Sequence, residues 1–500
     1  MTEPLYDLAI IGGGINGAGI AADAAARGLS VVLFEGRDLA SGTSSASSKL
    51  IHGGLRYLEH FDFRLVRESL QEREVLLAKA PHIVRPLRFV LPHVEGMRPR
   101  AMIRAGLFLY DHLARRRKIP GSSSVDLRRD PMGRALRSDF NHAFSYWDCW
   151  ADDARLVVLN ARAAALNGAF IHTRTQVTGL VADGGNWSVH VTPDAGSRTV
   201  CSRAVVNAAG PWVEVAGRLA IDRQGPSDQP KIRLVKGSHI VVPRIAGADD
   251  AFLLQNSDGR VVFALPYEEH FTLIGTTDVA YTADPGAAAI DSEEVDYLLG
   301  LANRFFVKTI ERSSIVWQFS GVRPLFDDGN PNASAVSRDY RLELSSGPAM
   351  PPLLTVYGGK LTTYRKLAEA AVDRLAPHFP GLRSCTTALT TLPGGDIGPG
   401  GIESFLCEAS GRWPGLPQSM LASLFRRYGT LISSVLGDAK SVADLGARLG
   451  GGLYEREARY LRDHEWAREP DDVLWRRTKA GLHMGQIERE IAADRLQKLL

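Results

Sequence analysis

The sequence predicts an α/β protein in which a parallel sheet is joined to a mainly antiparallel sheet and to a helical C-terminal region. Three observations support this prediction. Residues 6–35 follow a strand, glycine turn, helix and strand pattern, which is typical of a parallel sheet. Residues 222–318 contain short strand patterns separated by polar turns, which favour an antiparallel sheet. Beyond residue 393 the pattern becomes helical and charged.

The opening unit consists of a buried strand at residues 6–11, an Ala-rich helix at 15–27 that ends at Gly28, and a second strand at 29–35. The sheet is expected to resume with residues 204–210 and again with 353–357, where a helix to about residue 375 follows. This organisation predicts a discontinuous nucleotide domain at residues 1–221 and 336–390. Residues 222–335 are predicted to be mainly the substrate domain, and residues 391–500 the helical domain.

A glycine-rich turn joins the first strand to the first helix and matches the pattern GxGxxG over residues 12–17. Gly12 permits the tight turn, Gly14 lets the backbone approach a pyrophosphate, and Gly17 lets the helix pack closely. The helix N-terminus adds a partial positive charge. Glu35 ends the next strand and would accept hydrogen bonds from ribose hydroxyls. The unit therefore predicts dinucleotide binding, although the motif alone does not separate FAD from NAD.

Composition narrows the class of protein further. The 500 residues are 45% hydrophobic, which is enough for a large core and several domains. A net charge of only +3 argues against a nucleic-acid partner. The four cysteines have the spacing of neither a zinc site nor a CxxC pair, so we expect no metal site. We see neither a signal peptide nor a run near the roughly 18 uncharged apolar residues of a membrane span, and expect a soluble or peripheral protein.

One segment departs from this even charge distribution. Residues 85–118 hold nine basic and two acidic side chains, a net charge of +7. Apolar side chains lie among the basic ones: Met102, Ile103, Leu107, Phe108, Leu109 and Leu113. This composition predicts an interfacial helix that docks on an anionic membrane. The alternative is a buried helix with an ordinary charged end.

Several motifs together closely resemble those of the aerobic FAD-dependent glycerol-3-phosphate dehydrogenases. They lie at residues 11–16, 43–59, 236–239, 275–278, 320–324 and 358–366, with further likeness at 464–466 and 471–478. The resemblance covers nearly the whole chain. It implies a glutathione-reductase-type FAD-binding domain, oxidation of glycerol 3-phosphate to dihydroxyacetone phosphate, and transfer of electrons to a membrane quinone. It also implies a cytoplasmic location on the inner face of the cell membrane, and a homodimer is one expectation for the assembly.

The same resemblance assigns the cofactor site. Residues 205–212 resemble the second strand-and-glycine signature of such flavoproteins, and residues 358–363 resemble their last strand-to-helix turn. That last helix would point its N-terminus at the flavin, where its dipole stabilises negative charge. The serines could instead cap a helix. The expected contacts of non-covalently bound FAD are Gly12, Gly14, Gly17, Glu35, Ser44, Ser45, Ser47, Ser48, Lys49, Gly210, Gly359, Lys360, Leu361 and Thr362.

A substrate with a phosphate group needs fixed cations. Arg56, Arg323 and Lys360 are the expected phosphate ligands, because each lies in or near a turn marked by glycine or proline. Surface ion pairs are the alternative for each of them. Tyr57 and Thr362 would add neutral hydrogen bonds.

Oxidation of a secondary alcohol also needs a base for the hydroxyl proton. His239 and His52 both lie in the matching motifs, and histidine suits this role near neutral pH. Either could instead be a packing or flavin-contacting residue, and Arg323 could polarise the hydroxyl. The sequence leaves the identity of the base open.

Two other functions remain compatible with the motifs. A glycerol-3-phosphate oxidase would share them and pass electrons to oxygen, while a flavin-binding scaffold would lack turnover. The basic segment favours the quinone-linked enzyme, and the presence of Arg56, Arg323 and Lys360 favours an active pocket over a scaffold.

Overall fold

The computed structural model describes residues 4–55, 58, 62–94, 96–116, 119–193, 196–220, 231–256, 259–327, 339–348 and 350–500. Its strands in chain order are β1 (Leu5–Ile11), β2 (Val31–Phe34), β3 (Leu50–Ile51), β4 (Val84–Pro92), β5 (Ser123–Asp126), β6 (His142–Ala151), β7 (Phe170–His172), β8 (Thr175–Asp183), β9 (Asn186–Pro193), β10 (Arg198–Asn207), β11 (Ile232–Pro243), β12 (Ala251–Gln255), β13 (Val261–Tyr267), β14 (Phe271–Gly275), β15 (Val279–Ala280), β16 (Trp317–Phe326), β17 (Arg341–Gly347), β18 (Met350–Tyr357), β19 (Arg448–Gly450) and β20 (Leu453–Tyr454). Its α-helices are α1 (Ile15–Ala26), α2 (Phe63–Lys79), α3 (Arg100–His112), α4 (Asp153–Leu166), α5 (Val213–Gly217), α6 (Ser292–Phe305), α7 (Tyr364–Leu375), α8 (Gly401–Arg412), α9 (Gln418–Tyr428), α10 (Ile432–Leu436), α11 (Glu455–Glu465) and α12 (Gln486–Leu499).

The first sheet contains the parallel strands that the opening unit predicted. Its main path runs β17-β18-β10-β1-β2-β7, with β1 parallel to both β10 and β2 and with β10 parallel to β18. Most of β1 and all of β2 are buried, because helices cover one face of the sheet and β8 and β9 pack over the other. Burial on both faces explains why these strands are nearly continuous apolar runs. The predicted α/β fold class is confirmed.

Small residues let α1 pack tightly between the sheet and α7. A Cβ atom added at Gly17 would lie 1.9 Å from the Gly12 carbonyl oxygen, and one added at Gly19 would lie 2.8 Å from the Tyr364 ring. Gly12 itself has φ of +108°, a conformation that glycine adopts readily. Gly17 therefore permits close packing of α1 against the glycine turn, because any side chain there would clash with the Gly12 carbonyl.

The second sheet is mainly antiparallel and is larger than the sequence predicted. Its central strand β11 pairs antiparallel with β14 on one side and with β16 on the other. The sheet also includes β3, β4, β5 and β6, which come from residues 50–151. The predicted substrate domain, mainly residues 222–335, therefore shares its sheet with strands from residues 50–151, and its boundaries remain a prediction. The expected boundary positions at residues 221–222 and 335 lie outside the described residues.

The C-terminal region is helical, as predicted, with its own core under α8 to α12. It is joined to the first domain through buried ion pairs. Arg155 at the start of α4 pairs with Glu465, and both side chains are 0% exposed. Arg477 pairs with Asp38, which follows β2, at 2.6 Å. This interface, which we call the domain junction, fixes the helical domain against the loop after β2 and the start of α4.

Candidate active site

A cavity of about 520 Å³ lies where the carboxyl ends of β1, β2 and β18 meet strands β11 and β16. A crevice at the carboxyl ends of parallel strands is the usual ligand position in an open α/β sheet. Of the residues predicted from the sequence, those that line this cavity are Gly12, Gly14, Glu35, Ser44, Ser47, Ser48, His52, Gly210, His239, Arg323, Gly359, Lys360, Leu361 and Thr362. Arg56 and Tyr57 lie outside the described residues.

The glycine turn forms one end of the cavity. Gly14 is the N-cap residue of α1, and a Cβ added there would meet only the Ser44 hydroxyl, at 3.1 Å. That hydroxyl accepts a hydrogen bond from the Ile15 backbone N–H at 3.0 Å. The helix thus presents bare backbone and a positive dipole end to the cavity, which suits a pyrophosphate.

Glu35 lies beside this turn with its carboxylate already oriented. Its two oxygens accept hydrogen bonds from the backbone N–H groups of Gly13, at 2.7 Å, and Arg37, at 2.8 Å. Burial raises the pKa of Glu35 above its ordinary value, and these two bonds oppose the rise. A carboxylate has further lone pairs, so Glu35 can also accept bonds from ribose hydroxyls.

The last strand-to-helix turn forms an adjoining part of the cavity wall. Gly358 and Gly359 have φ of +72° and +99°, and the Asn16 side-chain amide donates to the Gly358 carbonyl at 3.1 Å. A Cβ added at Gly359 would lie 2.8 Å from that amide nitrogen. Asn16 therefore ties the first glycine turn to the last one, a contact that the sequence analysis missed although Asn16 lies inside the GxGxxG motif.

Three predicted cofactor contacts, Gly17, Ser45 and Lys49, are not among the described residues that line the cavity. The Lys49 ammonium is buried and bonded to the Asp153 carboxylate at 2.9 Å and to the Ser45 carbonyl at 3.0 Å. The Lys49 ammonium instead joins Asp153 to the Ser45 carbonyl, and the contact of Lys49 and Ser45 with the cofactor remains a prediction.

His239 lies in the cavity wall because its strand is flanked by two other motif strands. On β11 it faces Gly275 of β14 and Phe319 of β16, and its ring stacks on Phe319 at 4.8 Å. A Cβ added at Gly275 would lie 2.1 Å from the imidazole, so this position has room only for glycine. Antiparallel pairing thus brings together three motifs that are far apart in sequence.

The surroundings of His239 favour the neutral imidazole. Burial lowers the pKa of His239 well below its ordinary value, and the charges of Lys49 and Arg323 lower it further. Nε2 lies 2.9 Å from the Ser48 hydroxyl, while Nδ1 is buried without a hydrogen-bond partner among the described residues. His239 therefore borders the cavity with Nε2 beside the Ser48 hydroxyl.

The second histidine and the cations complete this end of the cavity. The His52 backbone N–H donates to the Thr362 hydroxyl at 3.2 Å, so these two predicted residues are held together. Arg323 is 28% exposed, donates to the Thr277 carbonyl at 3.0 Å and pairs with Asp278 at 2.8 Å. Lys360 is also partly exposed in the cavity lining. Asp278 was missed as a site residue, although it belongs to the motif at 275–278.

Comparison with known proteins agrees with this geometry. Residues 7–365 match the family model described as FAD dependent oxidoreductase, and residues 385–497 match the C-terminal domain of alpha-glycerophosphate oxidase. A glycerol-3-phosphate dehydrogenase from Pseudomonas aeruginosa is 51% identical, with 99% of this chain and 95% of the relative covered. The chain belongs to the FAD-dependent glycerol-3-phosphate dehydrogenase family. Its cofactor is FAD.

Two further proteins are similar to this chain over nearly its whole length. A D-erythritol 1-phosphate dehydrogenase from Brucella abortus is 49% identical, with 98% of this chain and 97% of the relative covered. The glycerol-3-phosphate dehydrogenase from Bacillus halodurans, solved in complex with FAD, is 28% identical with a TM-score of 0.75, covering 100% of this chain and 95% of that one. The bare glycine turn and the Glu35 carboxylate fit the adenosine diphosphate half of FAD.

Proposed function

We propose that this chain oxidises sn-glycerol 3-phosphate to dihydroxyacetone phosphate and that the electrons then pass to a membrane quinone. The observation that carries the proposal is that Arg323, Lys360, His239 and His52 share one cavity with the dinucleotide-binding turn. The names of the relatives support the substrate. FAD, when bound, would accept the hydride from C2 of the substrate. Side chains of the protein would bind the phosphate and accept the hydroxyl proton.

The two cations would hold the phosphate and so orient C2. Arg323 offers a planar fork of donors to phosphate oxygens, and Lys360 offers a point charge. Asp278 pairs with Arg323 and limits its movement, so that one edge of the guanidinium stays fixed. Fixed cations in a partly closed cavity place the alcohol where its hydrogen can leave, which is a large part of catalysis in such reactions.

His239 would accept the hydroxyl proton as the C2 hydride leaves. A neutral imidazole can accept a proton, and a phosphate beside Arg323 would offset one of the charges that lower its pKa. His52 is the alternative base, since it lines the same cavity, and Arg323 remains the group that could polarise the hydroxyl. Replacing each histidine with glutamine tests the assignment: we expect the larger loss of flavin reduction rate, about 100-fold or more, in His239→Gln. A larger loss in His52→Gln would transfer the role to His52.

D-Erythritol 1-phosphate is a second candidate substrate, because the Brucella relative is 49% identical over nearly the whole chain. Both compounds carry a phosphate and an oxidisable secondary alcohol. The test is steady-state turnover of the purified holoenzyme with each compound, using a quinone analogue, NAD or oxygen as the acceptor. We expect the highest kcat/KM with glycerol 3-phosphate and the quinone analogue. Stoichiometric peroxide in air would instead identify an oxidase, and turnover with neither substrate would favour the scaffold.

Access to a membrane quinone would come through α3. Met102 and Phe108 on this helix are 55% and 58% exposed, and Arg98, Arg100 and Arg104 are exposed around them. Its inner face is anchored, because the buried Tyr110 hydroxyl donates to Asp148. None of the described helices is long and apolar enough to cross a membrane. The exposed apolar face favours the interfacial helix over the buried one, although Leu107 is buried and residues 117 and 118 lie outside the described part of the chain.

Liposome co-sedimentation tests this membrane contact. Phe108→Ser should weaken binding to anionic vesicles, whereas Leu389→Ser should not, although Leu389 is 91% exposed. Changing Arg115, Arg116 and Arg117 to Gln should reduce the binding and its dependence on salt. Equal binding by all variants, or binding that is indifferent to salt, would remove α3 from the proposal. The expected homodimer is a separate part of the proposal and is tested by sedimentation of the detergent-free protein.

A further inference from the structure

Residues 47–49 form a turn at the cavity wall, and one carboxylate accepts most of its side-chain hydrogen bonds. Asp153 Oδ2 accepts hydrogen bonds from the Ser47 hydroxyl at 2.7 Å and from the Ser47 backbone N–H at 3.2 Å. Both of its oxygens also accept from the Lys49 ammonium, at 2.9 and 3.0 Å. The side chains of Lys49 and Asp153 are 1% and 0% exposed. A buried carboxylate with this many donors fixes its partners firmly.

The backbone of the turn needs that support. Lys49 has φ of +58°, in the left-handed region that a non-glycine residue seldom adopts. Its N–H donates to the Ser47 hydroxyl at 2.9 Å, and its carbonyl accepts from the Ala151 N–H at 2.8 Å. Asp153 thus holds both ends of a turn whose conformation is costly in isolation.

The middle residue of the turn is Ser48, which faces the cavity. Its hydroxyl lies 2.9 Å from His239 Nε2, and the Lys49 ammonium lies 5.2 Å from the Phe319 ring on which His239 stacks. The line of contact therefore runs from Asp153 through residues 47–49 to the imidazole. Asp153 does not border the cavity among its described lining residues.

We propose that Asp153 is a positioning residue, which acts on the reaction by holding Ser48 against His239. This inference rests on the proposed function, in which His239 faces the substrate. A misplaced Ser48 hydroxyl would leave the imidazole without its partner at Nε2. Positional errors of this kind reduce the rate at saturating substrate more than they weaken binding.

The preceding residue gives a matched control. Asp152 is the N-cap of α4, accepts from the Arg155 N–H at 3.1 Å, and pairs with Lys479 of the helical domain. Within the described part of the chain, none of its hydrogen bonds goes to residues 47–49. Asp152→Asn and Asp153→Asn therefore each weaken one buried ion pair at the same helix start, but only the second releases the turn.

The experiment compares wild type, Asp152→Asn, Asp153→Asn, Asp153→Glu and Ser48→Ala as holoenzymes. It measures the anaerobic rate of flavin reduction by glycerol 3-phosphate per bound FAD, the substrate dependence of that rate, and thermal stability. We expect Asp153→Asn to lose about tenfold or more of the saturating rate, with a smaller change in half-saturating concentration. Ser48→Ala should lose rate at wild-type stability, and Asp152→Asn should lose stability at nearly the wild-type rate. Asp153→Glu, which keeps the charge, should recover part of the rate.

Equal rates per bound FAD in the Asp152 and Asp153 variants would overturn the inference and leave Asp153 a structural residue. A full wild-type rate in Ser48→Ala would overturn it as well. If Asp153→Asn does not fold, the pair of Asp153→Glu and Ser48→Ala decides by the same readouts. Wild-type flavin that stays oxidised with both glycerol 3-phosphate and D-erythritol 1-phosphate would contradict the proposed function itself, and the role of Asp153 with it.

Discussion

The cavity and the domain junction each contain an arginine paired with a carboxylate, but the two arginines differ in their exposure to solvent. At the junction, Arg155 and Glu465 are both 0% exposed. In the cavity, Arg323 is 28% exposed and shares its guanidinium between Asp278 and a carbonyl. The junction cation is fully enclosed by protein partners, whereas the cavity cation has a surface that a further anion can reach.

The exposure of the arginine therefore distinguishes an ion pair that supports the fold from one that can bind a ligand. A buried pair contributes little net stability when intact but a large loss when one partner is removed. A partly exposed pair in a cavity can exchange or share its carboxylate with a ligand at lower cost. We make four predictions about the cavity and the domain junction, in order of decreasing expected effect.

The largest effect is expected at the cofactor end of the cavity. Gly14→Leu should abolish FAD binding, because its side chain would fill the space in front of the α1 N-terminus. The flavin content of the purified protein measures this. Gly300→Ala is the control, since a Cβ there meets nothing within 4 Å and should leave FAD content unchanged. Full flavin content in Gly14→Leu would place the pyrophosphate elsewhere.

Breaking the junction should cost stability. Arg155→Met leaves the Glu465 carboxylate buried and without its cation, which should lower the free energy of unfolding by about 3–5 kcal/mol. Denaturant unfolding measures the loss. Lys498→Gln breaks the exposed pair with Asp494 and should change the stability by less than about 0.5 kcal/mol. Similar losses in the two variants would contradict the contrast between buried and exposed pairs.

Removing the cavity cation should instead affect catalysis. Arg323→Ala should retain FAD and lose about 2–5 kcal/mol of transition-state stabilisation, roughly 30-fold to several thousand-fold in kcat/KM. Lys360→Ala should change in the same direction. Arg341→Ala is the control, because the Arg341 side chain is 57% exposed and is absent from the described cavity lining. Unchanged kinetics in both cavity variants would move the phosphate site.

The smallest effect concerns a histidine at the junction. Burial, with a smaller contribution from the Arg155 charge, lowers the pKa of His82 from 6.5 to about 3. As the pH falls below 6.5, the unfolded chain binds a proton at this position and the folded chain does not, so stability decreases. Between pH 7 and pH 5 His82 should remove about 2 kcal/mol. Stability profiles of wild type and His82→Gln should diverge by that amount over this interval, and parallel profiles would contradict the prediction.

Local sequence patterns predicted the parts of the molecule that depend on neighbouring residues. Gly12, Gly14 and Glu35 were found because a tight turn, a bare helix start and a strand-end acid have fixed spacings. The glycines at 358 and 359 were found by resemblance, and their positive φ values explain why glycine is needed there.

The remainder depends on contacts between distant positions. The partner of Lys49 is Asp153, 104 residues further along, and that of Asp38 is Arg477, 439 residues further along. No local pattern indicates such pairs, so neither was predicted. The extent of the second sheet was missed for the same reason, because β4 and β6 join strands from residues 232–326 only in the folded chain.

We propose that Arg323, Lys360 and the bound flavin act on the same polyol phosphate in one cavity. The test is to mix the yellow holoenzyme with glycerol 3-phosphate under anaerobic conditions and to measure the flavin absorbance. We expect glycerol 3-phosphate to bleach the flavin of the wild type completely and that of Arg323→Ala much more slowly. Dithionite should reduce the flavin of both proteins equally. Wild-type flavin that dithionite reduces but glycerol 3-phosphate leaves oxidised would contradict the proposal.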